Sequence, residues 1–202
     1  VRSKADEWNI DKSRIGASGG SAGGCSSLWL AFHDDMADPN SADPIAREST
    51  RVLCAGVVGA QTSLDPRQMQ AWIANINYGG HAFGFDNVSG DSRAGFRAFL
   101  LNRENILPWI RKYSPYELVT TDDPPVYLHY NDSPAIGKRR GNATHSSNFG
   151  VKLKEKMDAL GVECHLMHLG APDLEYADPV EFLVARLKKA PRPDSRKTPS
   201  PH

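Results

Sequence analysis

GASGGSAGG, Gly16 to Gly24, packs five glycines and two serines into nine residues, and the pattern GxSxG fits it in two registers, centred on Ser18 or on Ser21. Ahead of it, Arg14-Ile15-Gly16-Ala17-Ser18 follows the turn residues Asn9-Ile10-Asp11-Lys12 and reads as a short strand running into the glycines. Behind it, CSSLWLAFH, Cys25 to His33, carries apolar residues at helical spacing and gives out at Asp34-Asp35. The order is strand, tight turn, helix. A nucleophile elbow needs that order, because its serine sits at a strained turn where small residues two places before and after relieve a clash. Centred on Ser21, those places are Gly19 and Gly23, a full strand precedes, and Ala22 opens the helix. Centred on Ser18, they are Gly16 and Gly20, the strand shrinks, and the helix has to begin inside Gly19-Gly20. Ser21 is the better centre, and the helix start offers the Ala22 N–H as an oxyanion donor. A phosphate-binding loop fits poorly: no two of these glycines stand two places apart, so GxGxxG cannot be drawn, and no GKS or GKT follows.

Outward from the elbow the same alternation continues. Ala5 to Trp8 looks helical, and RVLCAGVVGA, Arg51 to Ala60, is a valine-rich candidate for a buried parallel strand. Pro124-Pro125 introduces a further strand, Val126 to Tyr130. NFGVKLKEKMDAL, Asn148 to Leu160, sets Phe149, Leu153, Met157 and Leu160 on one helical face and is stopped by Gly161. Val162 to Leu169 reads as a strand, and Pro179 to Lys189 as a last helix with its proline in the first turn. Strands alternating with helices predict an α/β fold, a parallel sheet with helices on both faces, in one domain over residues 1–190. Leu64 to Ser114 fits that alternation poorly. Its Trp72, Trp109, Phe83, Phe85, Phe96 and Phe99 among scattered glycines predict an inserted, mostly helical, cap-like segment over the strand ends, with ordinary core packing as the alternative for the aromatics. Residues 191–202, within KKAPRPDSRKTPSPH, read as a disordered tail.

Composition narrows the function classes. Of 202 residues, 24 are lysine or arginine and 24 aspartate or glutamate, so the formal charge is +0 and no basic field exists to gather nucleic acid. No apolar run approaches the roughly twenty residues that span a bilayer, and VRSKADEWNI is charged rather than a secretion signal. Cys25, Cys54 and Cys164 stand far apart and outside any CxxC, which signals neither a zinc site nor a redox pair; no metal and no cofactor is expected. Asn87-Val88-Ser89 and Asn142-Ala143-Thr144 are sequons common by chance and do not place the chain outside the cell.

EWNIDKSRIGASGGSAGG resembles the segment before and around the nucleophile of α/β-hydrolase carboxylesterases of the hormone-sensitive-lipase-like and acetyl-xylan-esterase-like kind. DDPPVYLHYND is similar to the strand that delivers their catalytic acid, and KLKEKMDALGVECHLMHLGAPD to the helix and strand that lead to their catalytic histidine. The resemblance implies an α/β-hydrolase fold and a serine esterase acting on small acyl esters, acetylated carbohydrate among them. It also implies either a fragment or a shortened protein, because such enzymes have several strands and an HGGG-type loop before the elbow and this chain starts shortly before the Arg14 strand. The family's aspartate, four residues after the histidine of an HG turn, falls here on Ser133, with Asp132 one place earlier. Its G-A-x-H is written Gly170-Ala171-Pro172-Asp173, so an aspartate stands where the base belongs. A carboxylate is a poor proton acceptor for a serine hydroxyl.

The expected relay is therefore Ser21 as nucleophile, Ala22 N–H as oxyanion donor, Asp132 as acid, and His168, the histidine nearest the base loop, as base. His165 precedes His168 on the same strand, His145 reads as a surface residue, and His81 in GGHAFGF falls before the acid in chain order. Tryptophans and phenylalanines of the insertion would line an acyl or alcohol pocket. A non-catalytic relative acting as a binding or interaction module is the competing reading, which Asp173 favours. A third is a hydrolase half that pairs through the bare edge of the Arg14 to Ser18 strand, giving a homodimer.

Overall fold

The computed structural model describes residues 1–85 and 91–189; the Asn87 sequon and the expected tail lie outside the described residues. After a 3-10 turn at Arg2–Lys4 the elements run α1 (Ala5–Trp8), β1 (Ala17–Gly20), α2 (Ala22–Phe32), β2 (Ala55–Val58), α3 (Pro66–Trp72), a 3-10 turn at Gly80–Phe83, α4 (Ser92–Leu101), α5 (Arg103–Tyr113), α6 (Pro115–Leu118), β3 (Val126–His129), α7 (Asn148–Ala159), β4 (Cys164–Met167) and α8 (Pro179–Lys189). The four strands form one sheet in the order β1-β2-β3-β4, every pair parallel. Gly20 pairs with Val58, Val58 with His129, and His129 with Met167, so all four strands end along one rim. A parallel α/β sheet places its ligand-handling loops along that rim.

Alternation along the strands divides the core in two. Ala55, Val57, Val126, Leu128, Cys164 and Leu166 face a large cluster with Leu28 and Phe32 of α2 and Phe149, Leu153 and Met157 of α7. Cys54, Tyr127, Tyr176 and Phe182 form a smaller cluster under α8 on the opposite face. Helices thus cover both faces, as the run of strand and helix signals requires. Gly56 has no room for a side chain there: a Cβ would lie 2.9 Å from the Pro179 carbonyl oxygen. α7 ends where Gly161 takes φ +72°, with Val162 N–H donating to Met157 O at 2.9 Å and Gly161 N–H to Asp158 O at 3.1 Å, the two bonds of a Schellman stop. Asp178 caps α8 by accepting from Val180 N and Glu181 N at 2.8 and 2.9 Å.

Two boundaries shift from the sequence reading. The first strand is Ala17–Gly20 rather than Arg14 to Ser18, because Gly19 and Gly20 stay paired with Val57 and Val58 up to the turn. β2 is only the core of the expected Arg51 to Ala60 run, since Gly59 leaves the extended region at φ +57°. Between 64 and 114 the chain is helical, and its aromatics divide. Trp72, Phe96 and Phe99 belong to the main core, with Phe83 and Phe85 packed against it, while Trp109 is 64% exposed. Within the described sheet β1 is an edge strand.

Candidate active site

The turn between β1 and α2 is as tight as GxSxG demands. Ser21 holds φ 52° and ψ −122°, a conformation that costs a non-glycine residue energy and persists only when its surroundings impose it. Those surroundings are visible: Ser21 N–H donates to Val58 O at 2.9 Å, and Ser21 O accepts from Cys25 N at 2.9 Å to start the helix. A Cβ on Gly19 would lie 2.4 Å from the Gly23 carbonyl, so the glycine two before the serine makes room for the glycine two after it. Ser18, the rival centre, lies within β1 and donates its hydroxyl to Gly56 O at 2.9 Å. Ala22 is the first residue of α2 and is exposed; its N–H, in the first turn, has no intrahelical acceptor.

The hydroxyl of Ser21 meets a histidine. His145 Nε2 lies 2.9 Å from Ser21 Oγ, and His145 Nδ1 lies 3.1 Å from Asn142 Oδ1. A carboxamide oxygen only accepts, so the network assigns the proton to Nδ1 and leaves the Nε2 lone pair for the serine O–H. Asn142 Oδ1 also accepts from His145 N at 3.3 Å, an Asx-type closure of the Asn142-Ala143-Thr144-His145 loop. Gly59 gives the imidazole its seat: a Cβ there would be 3.3 Å from His145 Cδ2. Buried Gln61 fastens the loop, its Nε2 donating to Thr144 O at 2.7 Å and to Gly59 O at 3.3 Å. Ser21 and His145 are both half-buried, open to a small molecule while held from behind.

The hydrogen-bond partner of Ser21 is not the histidine expected, and the expected acid bonds to groups other than a histidine. His168, just past β4, has its Nδ1 3.1 Å from Leu169 O; the hydrogen-bond partner of Ser21 is His145, because the loop after β3 rather than the loop after β4 folds over the elbow. Asp132 stands three residues past β3, where its Oδ2 accepts from Arg140 Nε and Nη2 at 3.1 and 2.6 Å and its Oδ1 from Ser147 N at 2.7 Å. Its charge is spent on an ion pair and on the start of α7. Asp173 is exposed in the loop before α8. His165 is enclosed by Tyr127, Tyr176 and Phe182 and is 2.6 Å from Glu163 Oε1 through Nε2. His81 packs edge-on to Tyr78 at 4.8 Å.

No protein-family profile matches the chain, and no curated protein sequence matches it. Solved structures do match. An acetyl ester-xyloside bifunctional hydrolase from Caldicellulosiruptor lactoaceticus superposes with TM-score 0.56 at 20% identity, over 93% of this chain and 58% of that one. A truncated form of a carbohydrate esterase from gut microbiota gives TM-score 0.60 at 19% identity, over 94% of this chain and 65% of that one. Thermogutta terrifontis esterase 2, in a form phosphonylated by sarin, gives TM-score 0.53 at 19% identity over 93% of this chain and 58% of that one. The fold is the α/β-hydrolase fold of these esterases. This chain spans less than two thirds of the length of each of the three.

Beside the His145 loop lies a polar cavity of about 540 Å³, lined by Asn142 and Thr144 together with Asn75, Asn77, Arg93 and Arg139. A second cavity, of about 490 Å³, shares Asn77 and is lined by Tyr78, His81, Phe85 and Phe96. The aromatics of the helical segment therefore contribute Phe85 and Phe96 to a cavity, while Trp72 is in the core and Trp109 faces out. One turn into α2, burial pushes the Cys25 thiol up to about 11, which keeps it protonated and unreactive at neutral pH. Among the described residues no cluster of histidine, cysteine, aspartate and glutamate has the makings of a metal site.

The signal for Ser21 was in its immediate neighbours, whereas His145 and Asn142 carried a fainter one. An asparagine side chain can accept from the N–H three residues on, and an arginine eight residues past Asp132 can occupy the carboxylate; both are readable only once the loop is known to fold over the elbow.

Proposed function

We propose that this chain is a serine ester hydrolase in which Ser21 is the nucleophile and His145 the general base and acid. The observation that carries the reading is the 2.9 Å approach of His145 Nε2 to the hydroxyl of a serine held at φ 52° on a strand-to-helix turn. Ser21 Oγ attacks the ester carbonyl carbon as its proton passes to His145 Nε2, giving a tetrahedral oxyanion beside the Ala22 N–H. Collapse breaks the bond to the alcohol, which takes the proton from His145 and leaves an acyl ester on Ser21. A water molecule then gives its proton to the same Nε2, attacks the acyl carbon and releases the carboxylic acid, the proton returning to Ser21. Helix-start polarity and a nucleophile bonded to its base supply the parts that acyl transfer needs.

Small acyl esters, acetylated carbohydrate among them, are the substrate class. Two matched structures are named as acting on acetyl esters or carbohydrate esters, and the largely polar cavity beside Asn142 suits a hydroxyl-rich alcohol. The test is a fluorophosphonate probe on the full chain, a chemistry suited to a fold whose Thermogutta representative is phosphonylated by sarin. Labelling of the wild type that disappears in Ser21→Ala supports the reading; absence of labelling in both removes it and leaves a binding module.

A further inference from the structure

Resting on the proposed roles of Ser21 and His145, we infer that Asn142, and not Asp132, is the residue that positions the base, so that the relay runs Ser21, His145, Asn142 without a carboxylate. Both oxygens of Asp132 are engaged, one by the Arg140 guanidinium and the other by the backbone N–H that opens α7. The described hydrogen bonds of the His145 ring run to Ser21 Oγ and Asn142 Oδ1, and neither partner is charged. Asn142 Oδ1 accepts twice from the same residue, from the ring Nδ1–H at 3.1 Å and from the main-chain N–H at 3.3 Å. One oxygen thereby fixes both the loop turn that carries the histidine and the tautomer that faces the serine.

The chemical consequence is specific. A carboxamide holds the Nδ1–H tautomer as a carboxylate does, yet offers no negative charge to the imidazolium that forms during attack. Removing the carboxamide frees the ring to exchange tautomers. Replacing it with a carboxylate of the same shape adds the missing charge while keeping the acceptor in place.

The experiment measures fluorophosphonate labelling rate against pH for wild type, Asn142→Ala, Asn142→Asp and Asp132→Asn, with nitrogen-15 NMR of the His145 ring in each. Asn142→Ala should slow labelling by about tenfold to a hundredfold and move the ring proton off Nδ1, as expected when a base loses its orienting acceptor. Asn142→Asp should label several-fold faster than wild type, and the acid limb of its rate profile should rise by about one pH unit or more, because a nearby carboxylate favours the charged imidazole. Asp132→Asn should stay within about threefold of wild type, as a residue paired outside the relay. The inference is overturned if Asp132→Asn shows the loss and the Asn142 variants keep the wild-type rate, profile and tautomer. Should wild type fail to label, the proposed hydrolase falls, and the ring tautomer in Asn142→Ala still decides whether Asn142 orients His145.

Discussion

Ser21 takes its conformation chiefly from its neighbours in sequence, with one bond to the adjacent strand, whereas His145 arrives at the same point from 124 positions away along the chain. Gly19, Gly23 and the start of α2 impose the elbow locally, and the paired Val58 carbonyl holds its backbone. The histidine depends on tertiary tethers: Gln61 to Thr144, and Asn148 to Trp72 and Ala135. A serine placed by local sterics is robust to change elsewhere; a histidine delivered by a strapped loop can be loosened without touching the elbow.

The sharpest break is at the elbow. Gly19→Ala puts a methyl 2.4 Å from the Gly23 carbonyl, where backbone has to shift, and should cost about 2–3 kcal/mol in urea denaturation and abolish labelling. Next is the loop. Gln61→Ala removes the donor to Thr144 O and should cost about 1–2 kcal/mol, with labelling slowed by roughly tenfold and the α2 start unchanged by amide hydrogen exchange. An unchanged labelling rate in that variant would show that His145 does not depend on its tethers.

How much of this was readable beforehand follows the same divide. Helix periodicity in Asn148 to Leu160, the valine run around β2 and the Gly161 stop all rest on neighbours in sequence, and the elements appear within a few residues of where the pattern put them. At the site, GGSAG set the turn because steric clashes between positions 19 and 23 are local. The placement of His145 is not, since it depends on the loop after β3 packing against Gly59 and Gln61 of a different strand end. The lesson of Asp132 is similar: its type and position were legible, its capture by Arg140 was not.

A smaller effect lies away from the site. Hydrogen bonds from the Ser49 hydroxyl and the Thr50 N–H hold the Asp35 carboxyl down at about 2, against an ordinary 3.8. A carboxyl depressed by folding stabilises above its unfolded value and loses that contribution as pH falls through the folded one. Asp35→Asn should therefore melt lower than wild type at pH 6 and converge with it near pH 2, while labelling at neutral pH stays as in wild type. A gap that persists at pH 2 would assign the effect to packing rather than charge.

The central claim, that the base comes from the loop after β3 and not from the loop after β4, is tested most directly by fluorophosphonate labelling of His145→Ala beside His168→Ala. The account predicts that labelling falls by roughly a thousandfold or more in His145→Ala, as expected on removing a catalytic base, and is kept in His168→Ala. Labelling kept in His145→Ala and lost in His168→Ala would contradict it.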